Sequence, residues 1–140
     1  MRKQCEYARR QDLHSLTLRQ TFPTAILSLN TQGSRIVVGD MQESTFFVAY
    51  KTVPNRQLLV FADDTQPRWI TAMHMVDYET VACGDKFGNI FVNRLPEHVG
   101  ASVDDDPTGA GILHEKGWLM GAAHKTAMLA HYHVGGIVTS

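Results

Sequence analysis

The chain has 140 residues, the length of a single domain. At 44% hydrophobic and 19% charged it is a globular composition, which excludes a disordered chain. Thirteen basic against fourteen acidic side chains leave a net charge of −1, which excludes a polybasic nucleic-acid binder held by bulk electrostatics. Residues 1–23 form an N-terminal extension of mixed charge, with Leu13, Leu16 and Leu18 as its apolar positions, and predict a short helix or an outer strand. Short runs rich in β-branched and aromatic residues, bounded by turn residues, then predict strands over 24–31, 35–39, 45–51 and 57–62. A second set of four follows over 69–76, 80–83, 89–95 and 127–134. Residues 35–39 and 58–62 are nearly continuous apolar runs, so both faces of those strands should be buried.

The two sets are copies of one another. Arg35-Ile36-Val37-Val38-Gly39-Asp40 is matched by Thr80-Val81-Ala82-Cys83-Gly84-Asp85, and the same 45-residue offset pairs Thr45-Phe46-Phe47 with Ile90-Phe91-Val92. A period of roughly 40–45 residues built from short strands is that of a β-propeller blade. The predicted fold is therefore all-β: a WD-repeat-like β-propeller fragment of about two four-stranded antiparallel blades. The first blade spans 24–62 and the second 63–134. An acidic insertion loop over 97–113 interrupts the second blade, and 135–140 begin a further one. A closed ring needs at least four blades, so the chain is expected to be a piece of a longer protein.

Asp85-Lys86-Phe87-Gly88-Asn89 fits a hairpin turn, with Asp85 accepting backbone N–H bonds and Gly88 at positive φ. Asp40-Met41-Gln42-Glu43-Ser44 is the same turn without the glycine. Turn capping outweighs catalysis for both aspartates. Cys5 and Cys83 are far apart and form no metal or disulfide framework, which suggests a reducing compartment. No apolar run reaches the roughly 18 residues of a membrane helix, and no secretory signal stands at the N-terminus; no membrane association is expected.

A second resemblance is to a known family. Phe61-Ala62-Asp63-Asp64-Thr65-Gln66-Pro67-Arg68-Trp69, the run Asp77 to Ile90, Asp105-Asp106-Pro107-Thr108-Gly109 and Tyr132-His133-Val134-Gly135 are similar to the large β-propeller subunit of splicing factor 3b. That family shares a superfamily with the large subunit of the cleavage and polyadenylation specificity factor and the damaged-DNA-binding adaptor protein. Asp64, Pro67, Trp69, Asp85 and Asn89 fit the superfamily pattern. The resemblance implies a nuclear, non-enzymatic scaffold in pre-mRNA splicing, acting in branch-site recognition and spliceosome assembly. Its implied partners are the other splicing factor 3b subunits, notably the HEAT-repeat subunit, and the spliceosomal ribonucleoprotein, with indirect RNA contact. It carries over no catalytic residue and no cofactor. The alternative is a nucleic-acid-contacting propeller like the polyadenylation or DNA-damage relatives.

Other chemistry is weaker. Asp104-x-Asp106-x-Thr108-Gly109 with Glu115 has calcium-loop spacing, but Pro107 lies inside the loop and no helix is expected before it. His131 and His133 share a strand face without an identifiable third metal ligand, so half-buried strand histidines are the expectation. The candidate partner-contact residues are Arg68 and Trp69, an aromatic–basic pair, and Asp104, Asp105 and Asp106 of the acidic loop. The competing expectation for Arg68 is a structural ion pair with Asp63 or Asp64, beside a tryptophan that packs a blade.

Overall fold

The structure, a computed structural model, describes residues 4–11, 14–22, 24–53, 56–112 and 122–139. An antiparallel hairpin of β1 (Gln4–Gln11) and β2 (His14–Thr21) comes first, so the extension is strand and not helix. β3 (Ile26–Gln32), β4 (Arg35–Asp40), β5 (Thr45–Lys51) and β6 (Gln57–Asp63) form a consecutive antiparallel meander. β7 (Ile70–Met75), β8 (Thr80–Asp85) and β9 (Asn89–Arg94) repeat it, and β11 (Ala127–His133) completes the second sheet against β9. Each strand lies within a residue or two of its predicted span. The fold is an all-β, propeller-like fragment.

The two sheets pack face to face. Val37, Phe47, Leu59 and Phe61 of the first and Ile70, Val81, Cys83 and Phe91 of the second share one core. The first sheet is covered on its other face too, where Val38, Phe46, Val48, Leu58 and Val60 pack with Phe22 and Ala122. This double burial explains the continuous apolar runs of β4 and β6. The outer face of the second sheet, with Ala72, His74, Ala82, Gly84 and Ile90, is crossed by Val138.

The region from residue 97 departs from the expected loop. Glu97–Asp105 is a helix, α1, with Pro96 at its N-cap and Glu97 in its first turn. Proline suits a helix start because the first N–H groups have no helical partner to lose. Val99 and Val103, one turn apart, bury against the inter-sheet core together with Ile112. After α1 the chain does not return directly to the second sheet. It first adds β10 (His124–Lys125) in parallel to the outer edge of β6, pairing His124 with Ala62 and Lys125 with Asp63. The first sheet thus has five strands, in the order β10-β6-β5-β4-β3, where four were expected. Among the described residues no helix is long and apolar enough to cross a membrane.

Candidate functional site at the seam between the sheets

The β4–β5 turn, the β8–β9 turn and the linker from β6 to β7 meet at one end of the sheets. In the β8–β9 turn Asp85 Oδ1 accepts the N–H groups of Phe87 at 2.8 Å and Asn89 at 3.0 Å, and Asn89 Nδ2 donates to Asp85 Oδ2 at 2.9 Å. Gly88 sits at φ 83°. In the β4–β5 turn Asp40 Oδ1 accepts from the N–H groups of Gln42 at 2.9 Å and Glu43 at 3.1 Å. The left-handed residue there is Ser44, at φ 67°. Both aspartates are buried turn-cappers, as their spacing indicated.

Between these turns lies a cleft of ≈ 380 Å³ lined by Met41, Gln42, Glu43, Pro67, Arg68, Trp69 and Phe87. Its size is in the range of pockets that take a small group or a peptide side chain. Phe87, at the turn tip, is 66% exposed. The Lys86 ammonium stands 4.2 Å from the Trp69 ring centroid, within cation–π range. The rim therefore offers one exposed aromatic ring, a half-buried indole and a cation.

Arg68 lines the cleft, and its head turns into the seam. The guanidinium lies 4.2 Å from the Phe91 ring centroid, with Nε 3.6 Å from Asp64 Oδ2 and Nη1 3.9 Å from Asp85 Oδ2. These are ion-pair distances, too long for hydrogen bonds. Nη2 donates to Gln66 Oε1 at 2.8 Å. Of the two pairings weighed from sequence, Arg68 takes the one with Asp64. Asp64 is itself tied to the first sheet by Ser44 Oγ at 2.6 Å. Arg68 is thus a charge rivet between the sheets, and Trp69 and Phe87 are the more accessible cleft groups. Cys83 belongs to the same inter-sheet core; burial, with Asp64 adding to it and Arg68 opposing, pushes its thiol well above the ordinary range.

The three acidic candidates lie at the opposite ends of the strands, and they do different things. Asp104 Oδ1 accepts from Arg35 Nη2 at 3.2 Å and Tyr78 Oη at 3.4 Å. Arg35 is 1% exposed, with its guanidinium 4.8 Å from the Phe61 ring centroid and 4.5 Å from that of Tyr78. Asp106 Oδ1 accepts from the N–H groups of Thr108 and Gly109, and Oδ2 from Gly111 N–H at 2.9 Å. The Gly111 bond foremost, then those from Thr108 and Gly109, hold its carboxyl below the usual carboxylate range. Asp105 is exposed. The structure does not bring Asp104–Asp106 to the cleft that holds Trp69. The calcium template fares no better among the described residues. Asp104 and Asp106 already serve Arg35 and backbone amides, no cluster of three metal-ligating groups occurs, and Glu115 falls outside the described residues. His131 and His133 are exposed, not half-buried; His133 Nδ1 lies 3.0 Å from Asn89 Oδ1.

Sequence reasoning missed Met41, Gln42, Glu43 and Phe87 as cleft residues, and Lys86 over the Trp69 ring. An aromatic at the tip of a hairpin turn, where neither sheet face claims it, was the available signal.

Comparison with known proteins decides the family. The model of the CPSF A subunit region matches residues 9–140. The chain belongs to the CPSF A subunit region family. Within that family it is similar to the pre-mRNA-splicing factor RSE1 of Mycosarcoma maydis, with 59% identity over 86% of the chain. It is 47% identical over 84% of its length to splicing factor 3B subunit 3 of Drosophila melanogaster, and 49% identical over 86% to the probable splicing factor 3B subunit 3 of Dictyostelium discoideum. The chain spans 10% of the length of each of these relatives. The splicing-factor resemblance read from the Asp-Pro-Thr-Gly and Asp-Lys-Phe-Gly-Asn motifs is thereby confirmed.

Proposed function

We propose that this CPSF A region is a two-blade part of a non-enzymatic scaffold of splicing factor 3b, working in the nucleus in pre-mRNA splicing. The observation that carries the proposal is the 47–59% identity to splicing-factor relatives across most of the chain. The inter-sheet cleft supports it, because its groups suit contact: an exposed phenyl ring, an indole and an ammonium carried on hydrogen-bonded turns. Partners of this scaffold are the other splicing factor 3b subunits, the HEAT-repeat subunit first among them. In this proposal Trp69 contributes to the contact directly, while Arg68 contributes by holding the cleft together. Asp105 is the acidic residue free to meet a basic partner; Asp104 and Asp106 are engaged in the fold.

A photo-crosslinking residue placed at Phe87 tests the proposal. The chain is mixed with purified splicing factor 3b subunits and labelled pre-mRNA. Adducts to the HEAT-repeat subunit, diminished by Trp69→Ala, are expected. Adducts to RNA alone would overturn the scaffold proposal in favour of a nucleic-acid-contacting propeller, and adducts to neither would overturn it outright.

A further inference from the structure

The cleft has walls from different sheets. Met41, Gln42 and Glu43 come from the first, and Phe87 from the second. Its width is therefore the separation of the two sheets at that end. A seam packed mainly by apolar side chains resists separation but leaves sliding and splaying open, since such contacts are non-directional. Directional bonds must fix the angle.

Some of those bonds lie at the cleft itself, where Ser44 N–H donates to the Arg68 carbonyl at 3.1 Å, Lys86 N–H donates to the Trp69 carbonyl at 3.0 Å, and Arg68 faces Asp64 and Asp85. A second set lies at the other end. α1 leaves the second sheet after β9 and crosses to the first, where β4 and β5 hold the helix and β6 holds the turn that follows it. Arg35 of β4 donates to Asp104 at 3.2 Å. Lys51 of β5 donates from its ammonium to the Val103 carbonyl. Gln57 of β6 donates from Nε2 to the Thr108 carbonyl at 2.9 Å. Gly109, at φ 70°, lies so close to Leu59 of β6 that a Cβ would overlap the Leu59 methyl. Asp106 folds the turn between these contacts by accepting three backbone N–H groups. Tyr78, in the β7–β8 turn of the second sheet, bonds both Asp104 and Ser34 of the β3–β4 turn. Arg35 and Asp40 bound the same strand, so this grip stands about 17 Å from the cleft at 3.3 Å per residue.

We propose that α1 and the Asp106–Gly111 turn are a clasp that sets the width of the cleft from the far end of the sheets. Asp104, Gln57 and Gly109 are its positioning residues. The sheets pivot about their shared apolar core, so loosening one end lets the other vary. The acidic insertion then has an internal role, holding the geometry of a surface it never touches.

The test measures that geometry without any partner, so its outcome is independent of what docks in the cleft. Spin labels are attached at Glu43→Cys and Phe87→Cys in a Cys5→Ser background. Cys83 is buried and its thiol is held protonated, so it escapes labelling. Pulsed electron–electron resonance then gives the distance across the cleft. The double variant Asp104→Ala/Gln57→Ala should keep the strand signal in circular dichroism and broaden or shift that distance. Asp104→Glu should restore a narrow distribution, and the exposed Asp105→Ala should leave it unchanged. A folded double variant with the parent's distance distribution would overturn the clasp. Should the double variant lose its strand signal, Gln57→Ala alone decides, on the same two outcomes.

Discussion

Replacing Gly88 by valine should cost on the order of 2–3 kcal/mol, and two parts of that cost can be separated. Gly88 has φ 83°, where an L side chain meets its own backbone; the conformation costs roughly 1–2 kcal/mol, more for a β-branched residue. A Cβ there would also lie 2.8 Å from the Gly136 carbonyl oxygen and 2.9 Å from its nitrogen, closer than real Cβ atoms come. Gly135 offers the comparison, because its φ is 81° with nothing within 4 Å of a Cβ. Gly135→Ala therefore pays the conformational part alone, and Gly88→Ala pays it together with the close approach. Urea unfolding followed by circular dichroism should rank stability as Glu97→Gln, near neutral, then Gly135→Ala, Gly88→Ala and Gly88→Val. At this size each kcal/mol lowers Tm by roughly 3–5 °C. Equal stability of Gly88→Val and Glu97→Gln would refute the turn assignment. Equal loss from the two alanine variants would refute the close approach to Gly136.

Arg35→Ala should destabilise by about 2–4 kcal/mol, since it empties a site between two rings, whereas Asp104→Asn should cost about 1 kcal/mol or less because Asp104 is 44% exposed; the same urea titration reads both. Cys83 should resist Ellman's reagent at pH 8 in the folded chain and react on unfolding. Its native thiol is raised above the unfolded value near 9, so the unfolded state loses its proton first as pH rises. Its contribution to stability is present below pH 9 and lost above it, and Cys83→Ala should flatten the alkaline side of a stability–pH curve.

The strands were legible because each is a short β-branched or aromatic run closed by turn residues, and because one offset places Gly39 on Gly84 and Phe46 on Phe91. The helix was not, since its sequence holds a glycine, a serine and two aspartates in nine residues. Pro96 before Glu97, with valines four apart, was the signal to weigh. β10 is two residues long and carries no pattern at all. Pro67-Arg68-Trp69 stood out in the sequence, yet the burial of Arg68 depends on Asp64 after β6, Asp85 at the end of β8 and Phe91 within β9. Arg35 was read as one end of an apolar strand, where no neighbour in sequence announces Phe61, Tyr78 and Asp104.

The path through β10 sets an order of synthesis. β11 follows β10 in the chain, so the second sheet lacks its fourth strand until α1 and β10 have been synthesised. As the polypeptide emerges, the first meander can form from neighbouring hairpins alone. The second must wait with β9's outer edge bare until a long loop has closed, and loop closure is the slow step for distant strand pairs. During that interval the unpaired β9 edge is the stretch most open to wrong pairing, so a pause in synthesis just after residue 95 would expose it longest.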